Sequence, residues 1–191
     1  MEKLMHVIPS EKHENDAIDY INEFYKYNSK INGVGELDSY LDDYSGWLKK
    51  LEKDRKQIVN EKRVPAETYF LVRENDNRIV GMINIRYNLN ERLLLNGGHI
   101  GYSIRPTERR KGYNKINLYL GLKRLDELNV ETALLDCVKS NIGSSKTMLA
   151  LGAKKYNEIY NEDYGEVVEK YKIDIKNSLE KYKEEYDKKI G

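Results

Sequence analysis

Two N-terminal segments carry apolar residues at every third or fourth position, with polar residues between them. The first follows Ser10, a residue type that caps helices, and runs to a Gly-containing loop at 29–35. The second is marked by Leu37, Tyr40, Leu41, Tyr44, Trp47, Leu48 and Leu51. Because this spacing places apolar side chains on one helix face, we predict two amphipathic helices after a short strand at 4–8.

Beyond Pro65 the pattern changes to short runs of β-branched and aromatic residues, which is typical of strands. The predicted elements are strands at 68–74, 78–87 and 99–104, a helix from the Gly112 turn to 128, a strand at 132–138, a helix at 141–151, strands at 153–160 and 166–175, and a charged helix at 177–189. Helices between the later strands favour strands that run partly parallel. The order predicts an α+β (α/β mixed) fold with a central mixed sheet. We expect a single domain over 1–191, with an N-terminal part (1–66), a core (67–176) and a terminal helix (177–191).

The charge balance narrows the class of partner. Lysine and arginine number 33 and aspartate and glutamate 32, so the net charge of +1 lacks the basic excess of a general nucleic-acid or membrane-surface binder. A single cysteine cannot form an internal disulfide, and no apolar run reaches membrane-spanning length. We therefore expect a cytoplasmic protein with neither nucleic acid nor a membrane as its partner.

One strand-to-helix junction combines positive charge with a glycine. The predicted strand ends at Arg105-Pro106, and the turn Arg109-Arg110-Lys111-Gly112 precedes the next helix. At such a junction, backbone N–H groups without helical partners and the positive end of the helix dipole point the same way. The residues predict a site for a small polyanion, with a solvated charged corner as the alternative.

The segment Arg109-Arg110-Lys111-Gly112-Tyr113-Asn114 behind Pro106 resembles the Gln/Arg-x-x-Gly-x-Gly/Ala motif of the GNAT (Gcn5-related N-acetyltransferase) superfamily. Further along, Asn141-Ile-Gly-Ser-Ser-Lys opens a predicted helix that ends in Leu151-Gly152-Ala153, similar to a second family motif. The resemblance covers residues 68–175. It implies a GNAT-like three-layer fold, in which a partly splayed sheet is flanked by helices and followed by a C-terminal helix.

The resemblance implies an N-acetyltransferase that uses acetyl-CoA as co-substrate, without a metal, and transfers the acetyl group directly to an amine. The acceptor would be a small-molecule or peptide amine, and the chain a monomer or homodimer. The implied cofactor-binding residues are Ser103, Ile104, Arg105, Arg109, Arg110, Lys111, Gly112, Tyr113, Asn114, Asn141 and Ser144. Residues 109–114 would hold the pyrophosphate, and an N–H near Ile104 would stabilise the thioester oxyanion.

Three positions depart from the family pattern. Asn114 stands where the family usually has Gly or Ala, and Met148 stands where many members have a general-acid tyrosine. His99 takes the place of a catalytic glutamate and is the candidate catalytic residue, as a proton acceptor. Its alternative role is a histidine that is only hydrogen-bonded at a strand end. The departures leave open a catalytically inactive GNAT-fold module that binds or senses acyl-CoA.

Acidic residues cluster where the resemblance places the acceptor pocket. They are Glu36, Asp38, Asp42, Asp43 and Glu91. They favour a cationic amine as acceptor, unless they are solvated surface carboxylates.

Overall fold

The computed structural model describes residues 2–191, and its first sheet carries four antiparallel strands in sequence order. These are β1 (Leu4–Val7), β2 (Ala66–Arg73), β3 (Arg78–Arg86) and β4 (Ile100–Ile104). The predicted hairpin is confirmed as β2 and β3, which pair from Ala66–Arg86 to Arg73–Arg78. Apolar residues on both faces of β3 explain its buried pattern, since both faces are covered by helices.

The second sheet has three antiparallel strands in the order β5-β7-β6. Their bounds are β5 (Thr132–Val138), β6 (Lys154–Asn161) and β7 (Glu166–Asp174). The two sheets meet where the His99 N–H donates to the Leu134 carbonyl at 2.8 Å. The strands that were expected to run partly parallel form no parallel ladder within residues 2–191, where every ladder between strands is antiparallel. The physical reason is that β4 and β5 touch only near this point and then separate, so the sheet is splayed as expected.

Six α-helices within residues 2–191 flank the sheets, in agreement with the predicted mixed fold class. They are α1 (Glu14–Lys26), α2 (Tyr44–Arg55), α3 (Glu91–Leu95), α4 (Tyr113–Glu127), α5 (Ile142–Ala150) and α6 (Ile175–Tyr186). α2 begins later than predicted because the Asp43 carboxylate accepts the Gly46 N–H at 2.9 Å and caps the helix there. Sequence reasoning missed α3, whose cap is Asn90. No helix in the described part of the chain is long and apolar enough to cross a membrane.

Two apolar clusters hold the first sheet between its helices. One packs Tyr20 and Trp47, from α1 and α2, against Phe70 of β2. The other packs Leu118 of α4 against Ile83 of β3. All five side chains are fully buried, so each face of the sheet is fixed by helix packing. This packing holds β4 at the sheet edge while leaving the side toward β5 open.

The loop between α1 and α2 lies directly on β4. The Ser103 hydroxyl donates to the Asn32 carbonyl at 2.6 Å. Gly33 has φ +68, and a Cβ added there would overlap the carbonyl oxygen of Gly101. Only glycine combines this backbone conformation with such a close approach. The loop therefore forms a fixed wall beside the strand.

Candidate active site

A cleft of about 1300 Å³ opens where β4 and β5 separate. Its walls are β4, the end of β5, the 29–33 loop and the first turns of α4 and α5. The lining includes nine of the residues implied by the sequence: Ser103, Ile104, Arg109, Arg110, Gly112, Tyr113, Asn114, Asn141 and Ser144. It does not include Arg105, Lys111 or His99.

The backbone between β4 and α4 forms a concave segment of N–H groups, which we call the amide cradle (residues 110–114). No acceptor within residues 2–191 bonds these five N–H groups. Arg110 and Gly112 have φ of 66 and 83, and such turns curl successive N–H groups toward one point. A Cβ added at Gly112 would meet no atom within 4 Å, so the cradle is open at its centre. Together with the N-terminal end of α4, the segment is suited to an anion.

The basic side chains of this turn have different roles. Arg109 donates to the Ile104 carbonyl at 3.2 Å and to the Ser29 hydroxyl at 2.6 Å, which joins the cradle to the α1–α2 loop. Arg110 is exposed on the cleft, with no ion pair to the described residues. Lys111 places its ammonium 2.7 Å from a Glu108 oxygen. The implied role of this side chain in phosphate binding is therefore corrected to an ion pair outside the cleft lining, while the Lys111 N–H stays part of the amide cradle.

Arg105 is also corrected, since its side chain is fully buried and points toward α1. Its guanidinium contacts the carboxylates of Asp16, Asp19 and Glu23 at 3.1, 2.6 and 3.1 Å. Burial by itself would raise the pKa of Glu23, but hydrogen bonds from Thr107 and Arg105 lower it below its usual value. Arg105 thus anchors the end of β4 to α1.

Two more implied residues have side chains whose polar groups are bonded to other parts of the protein. The Ser103 hydroxyl is taken up by Asn32 and by the Tyr20 hydroxyl at 3.0 Å. The Tyr113 hydroxyl contacts Glu2 and Arg73 on the far side of the turn. Tyr113 therefore offers the cleft its cradle N–H, whereas Ser103 lines the cleft with a hydroxyl that is already bonded.

The first turn of α5 supplies side-chain amide and hydroxyl groups to the cleft. Asn141 caps α5 by accepting the Ser144 N–H at 3.1 Å, which leaves its amide nitrogen exposed. The Ser144 hydroxyl lies 2.8 Å from that of Tyr102, across the gap from β4. Burial raises the pKa of Tyr102, so this hydroxyl keeps its proton at neutral pH. Sequence reasoning did not assign Tyr102 to the site.

Asn114 differs from its neighbours in holding an unsatisfied atom. Its amide nitrogen lies 3.3 Å from the Thr147 hydroxyl. Its Oδ1 is the one fully enclosed side-chain nitrogen or oxygen without a hydrogen-bond partner in residues 2–191. Such an atom carries a desolvation cost of about 1–3 kcal/mol.

His99 does not reach the cleft, and its implied role as proton acceptor is corrected. The Leu134 N–H donates to its Nδ1 at 3.0 Å, so the proton of the neutral ring is on Nε2. Burial lowers the pKa of His99 to about 4. The neutral ring joins β4 to β5 where the sheets meet, which is the alternative role that the sequence left open.

Charges at the β5 side of the cleft come from residues that the sequence pattern did not single out. Arg86 and Asp136 both line it. Asp136 is paired with the Lys170 ammonium at 3.0 Å and accepts the Gly97 N–H at 2.6 Å. Of the five acidic residues predicted for the acceptor region, only Asp38 lines the cleft. An alternating strand gives no sign of which charged residue will face a gap between sheets, so these two were not predictable.

Two other positions that could have taken part in chemistry are buried. Met148, at the position of the usual general acid, is fully buried in the core. Burial raises the pKa of the Cys137 thiol to about 11, which disfavours a thiolate nucleophile. The cleft is therefore built for binding and polarisation rather than for covalent chemistry on the protein.

Comparison with known proteins places these features in a family. Residues 3–154 match the acetyltransferase (GNAT) domain. Among solved structures, the ribosomal-protein-S5-alanine acetyltransferase from Vibrio fischeri shares 16% identity with a TM-score of 0.68, over 91% of this chain and 93% of that one. The microcin C7 self-immunity acetyltransferase, solved with acetyl-CoA and AMP, shares 15% identity with a TM-score of 0.65, over 90% and 92%.

A third similar structure is the spermidine/spermine N-acetyltransferase from Vibrio cholerae, in mutant forms, with 13% identity and a TM-score of 0.64 over 94% of this chain and 98% of that one. No curated protein sequence matches the chain. At these identities the structures establish the fold. The matched range contains β4, the amide cradle, β5 and α5, and the chain belongs to the GNAT acetyltransferase domain family.

Proposed function

We propose that the protein transfers the acetyl group of acetyl-CoA directly to the amine of an acceptor. The amide cradle carries this proposal, because its five N–H groups have no acceptors in residues 2–191 and four of its five residues line the cleft. A pyrophosphate supplies oxygens for such N–H groups, and the α4 dipole favours its charge. Arg110 adds an exposed cation beside them.

The edge of β4 is suited to an amide-bearing arm. Residues 99 and 105 bond β3 through their main chains, and antiparallel strands alternate the direction of these groups. Ile100, Tyr102 and Ile104 therefore direct their N–H and carbonyl groups toward the gap beside β5. The exposed Asn141 amide stands across that gap. These groups would hold the pantetheine arm much as a strand pairs with a neighbour.

The same edge supports the chemistry. An N–H of β4, near Ile104, would stabilise the negative charge that develops on the thioester oxygen when the amine attacks. One such donor contributes about 2.7–4 kcal/mol to catalysis. The sulfur would leave as a thiolate without a dedicated acid, because an ordinary thiol pKa near 8.5 makes it an adequate leaving group. This fits the burial of Met148.

The acceptor must lose a proton, and the cleft carboxylates differ in their availability. Glu108 is paired with Lys111 and Arg73, and Asp136 with Lys170. Asp38 has no ion pair within residues 2–191 and lies on the wall formed after α1. We assign to Asp38 the attraction of the ammonium and, through water, the uptake of its proton.

The test uses two glycines with matched backbone strain. Gly112 and Gly165 both have positive φ, at +83 and +65, and a Cβ added at either meets no atom within 4 Å. Alanine at each position should lower stability by about 1 kcal/mol. Acetyl-CoA at a hundredfold excess over its Kd should stabilise the parent protein and Gly165→Ala by about 2.7 kcal/mol. Gly112→Ala should lose most of that gain, because its methyl group enters the cradle.

An unchanged acetyl-CoA shift in Gly112→Ala, or no shift in the parent protein, would contradict the proposal. A second candidate function is acyl-CoA binding without transfer, which the buried Met148 favours. Thiol release from acetyl-CoA across a panel of amines separates the two. Release with any one amine supports transfer, whereas a thermal shift without release for every amine supports the binding module.

A further inference from the structure

Arg86 lies where β4 begins, at the end of the cleft away from the amide cradle. Its Nη1 donates to the carbonyls of Gly97 and Gly98 at 3.3 and 3.1 Å, which fixes the plane of the guanidinium. Its Nη2 lies 3.6 Å from the point where a Cβ of Gly101 would stand, beside the α1–α2 loop. The Arg86 guanidinium is thus held in a fixed orientation at the end of the cleft where we place the acceptor.

The other donors of this guanidinium are open. Nε and Nη2 have no hydrogen-bond acceptor in the described chain, and no carboxylate there lies within 4 Å of the group. They are not enclosed, because Asn114 Oδ1 is the one enclosed unpartnered side-chain atom of residues 2–191. Nε–H and one Nη2–H form one edge of the guanidinium, which matches the two oxygens of a carboxylate.

The surrounding charges compensate Arg86 only in part. Asp136 raises the pKa of Arg86 through its charge, but it forms its ion pair with Lys170, at 3.0 Å. Arg92 of α3 adds further positive potential from the surface, and Tyr164 offers only a hydroxyl. Burial lowers the pKa of Arg86, because a poorly solvated position disfavours its charge. An anion from a ligand would relieve that cost.

We propose that Arg86 binds a carboxylate of the acceptor, so that the substrate class is amines that also carry a carboxylate, such as amino acids. This inference rests on the proposed acetyl transfer and makes it more specific. The carboxylate would sit on the Nε–Nη2 edge of Arg86, while the amine faces the β4 edge. It adds a carboxylate to the cationic amine that the acidic residues favoured.

The experiment compares paired probes that differ only in the carboxylate: several L-amino acids and their carboxamides, with spermidine as a cationic amine. Binding to the CoA-saturated protein is measured by calorimetry, and acetyl transfer by thiol release. We expect the acid of at least one pair to bind about tenfold or more tightly than its amide, since a charge-assisted bidentate contact is lost in the amide. The difference should be in Kd and KM rather than in kcat.

Three variants test the residue. Arg86→Gln should remove the preference for the acid, Arg86→Lys should retain part of it, and the matched surface change Arg92→Gln should leave it unchanged. Melting temperatures show whether each variant is folded; where Arg86→Gln is not, Arg86→Lys and the ratio in the parent protein decide. Equal binding of acid and amide in every pair, a preference for spermidine, or a preference that survives in Arg86→Gln would overturn the inference. Absence of acetyl-CoA binding in the parent protein would instead overturn the proposed function, and it is measured before any amine is added.

Discussion

Replacing Arg105 with methionine should destabilise the fold without weakening acetyl-CoA binding. The guanidinium is fully buried, contacts three carboxylates of α1 and donates to the Ile79 carbonyl at 2.8 Å. Methionine keeps much of the apolar volume but leaves these acceptors without their cation. Removing one member of a buried ion pair typically costs about 3–5 kcal/mol.

The exposure of the carboxylates places this variant at the low end of that range. The Asp16 and Asp19 side chains are 36% and 68% exposed, so water can solvate them again, whereas Glu23 is only 12% exposed. We therefore expect a loss of about 3 kcal/mol. For a chain of this size, that corresponds to roughly 6–12 °C in Tm.

Urea unfolding and calorimetric titration with acetyl-CoA measure the two effects separately. Arg78→Met is the matched control, because Arg78 pairs with the same Glu23 at 3.5 Å from a 39% exposed position. An exposed pair of this kind contributes at most about 1 kcal/mol. If Arg105→Met were as stable as Arg78→Met, or if it folded normally and lost acetyl-CoA affinity tenfold, the assignment of Arg105 as an anchor would be refuted.

Three further changes follow from the same contacts. Asn114→Ala removes an enclosed oxygen without a partner and should raise the free energy of unfolding by up to about 1 kcal/mol, after the 3.3 Å bond to Thr147 is lost; a lower urea midpoint would contradict this. Lys111→Gln should change the acetyl-CoA Kd by less than about threefold, because its ammonium is held by an ion pair outside the cleft; a larger loss in calorimetry would return it to the phosphate site. Burial lowers the pKa of His6 and of His99 to about 4, so the unfolded chain binds more protons below pH 6.5, and stability should fall as the pH drops from 6.5 toward 4. His99→Gln should make that decline shallower in urea titrations at stepped pH, and an unchanged slope would argue against a neutral buried ring.

The spacing of apolar residues predicted most helices and strands, because this pattern is set within each segment of the chain. The hairpin of β2 and β3 and the helix after Gly112 follow from patterns within one segment. The start of α2 was missed because a single cap at Asp43 outweighed the apolar repeat that begins at Leu37. The splay of the sheets was expected only through the family resemblance, since no local pattern encodes a gap between strands.

The site could be predicted where it is made of main chain, and less well where it depends on side-chain direction. Gly112 and the turn around it fix the cradle locally, so residues 110–114 were found. Arg105 directly follows β4, yet its side chain points to α1, where it contacts three carboxylates. These carboxylates are far away in the sequence, so no local pattern indicated the contact. Arg86 was missed for the converse reason, as nothing near it in the chain distinguishes it from a solvated arginine.

The contact of the α1–α2 loop with β4 couples the position of the acceptor to the position of the thioester. Asn32 and Gly33 rest on the strand whose edge would align the thioester, so a displaced loop would also shift the register of the bound arm. We therefore expect variation that alters acceptor choice to be tolerated at exposed lining residues away from this contact, such as Lys30 on the loop and Tyr164 in the β6–β7 turn. A laboratory search for new acceptors should therefore diversify those two positions and leave Gly33 unchanged.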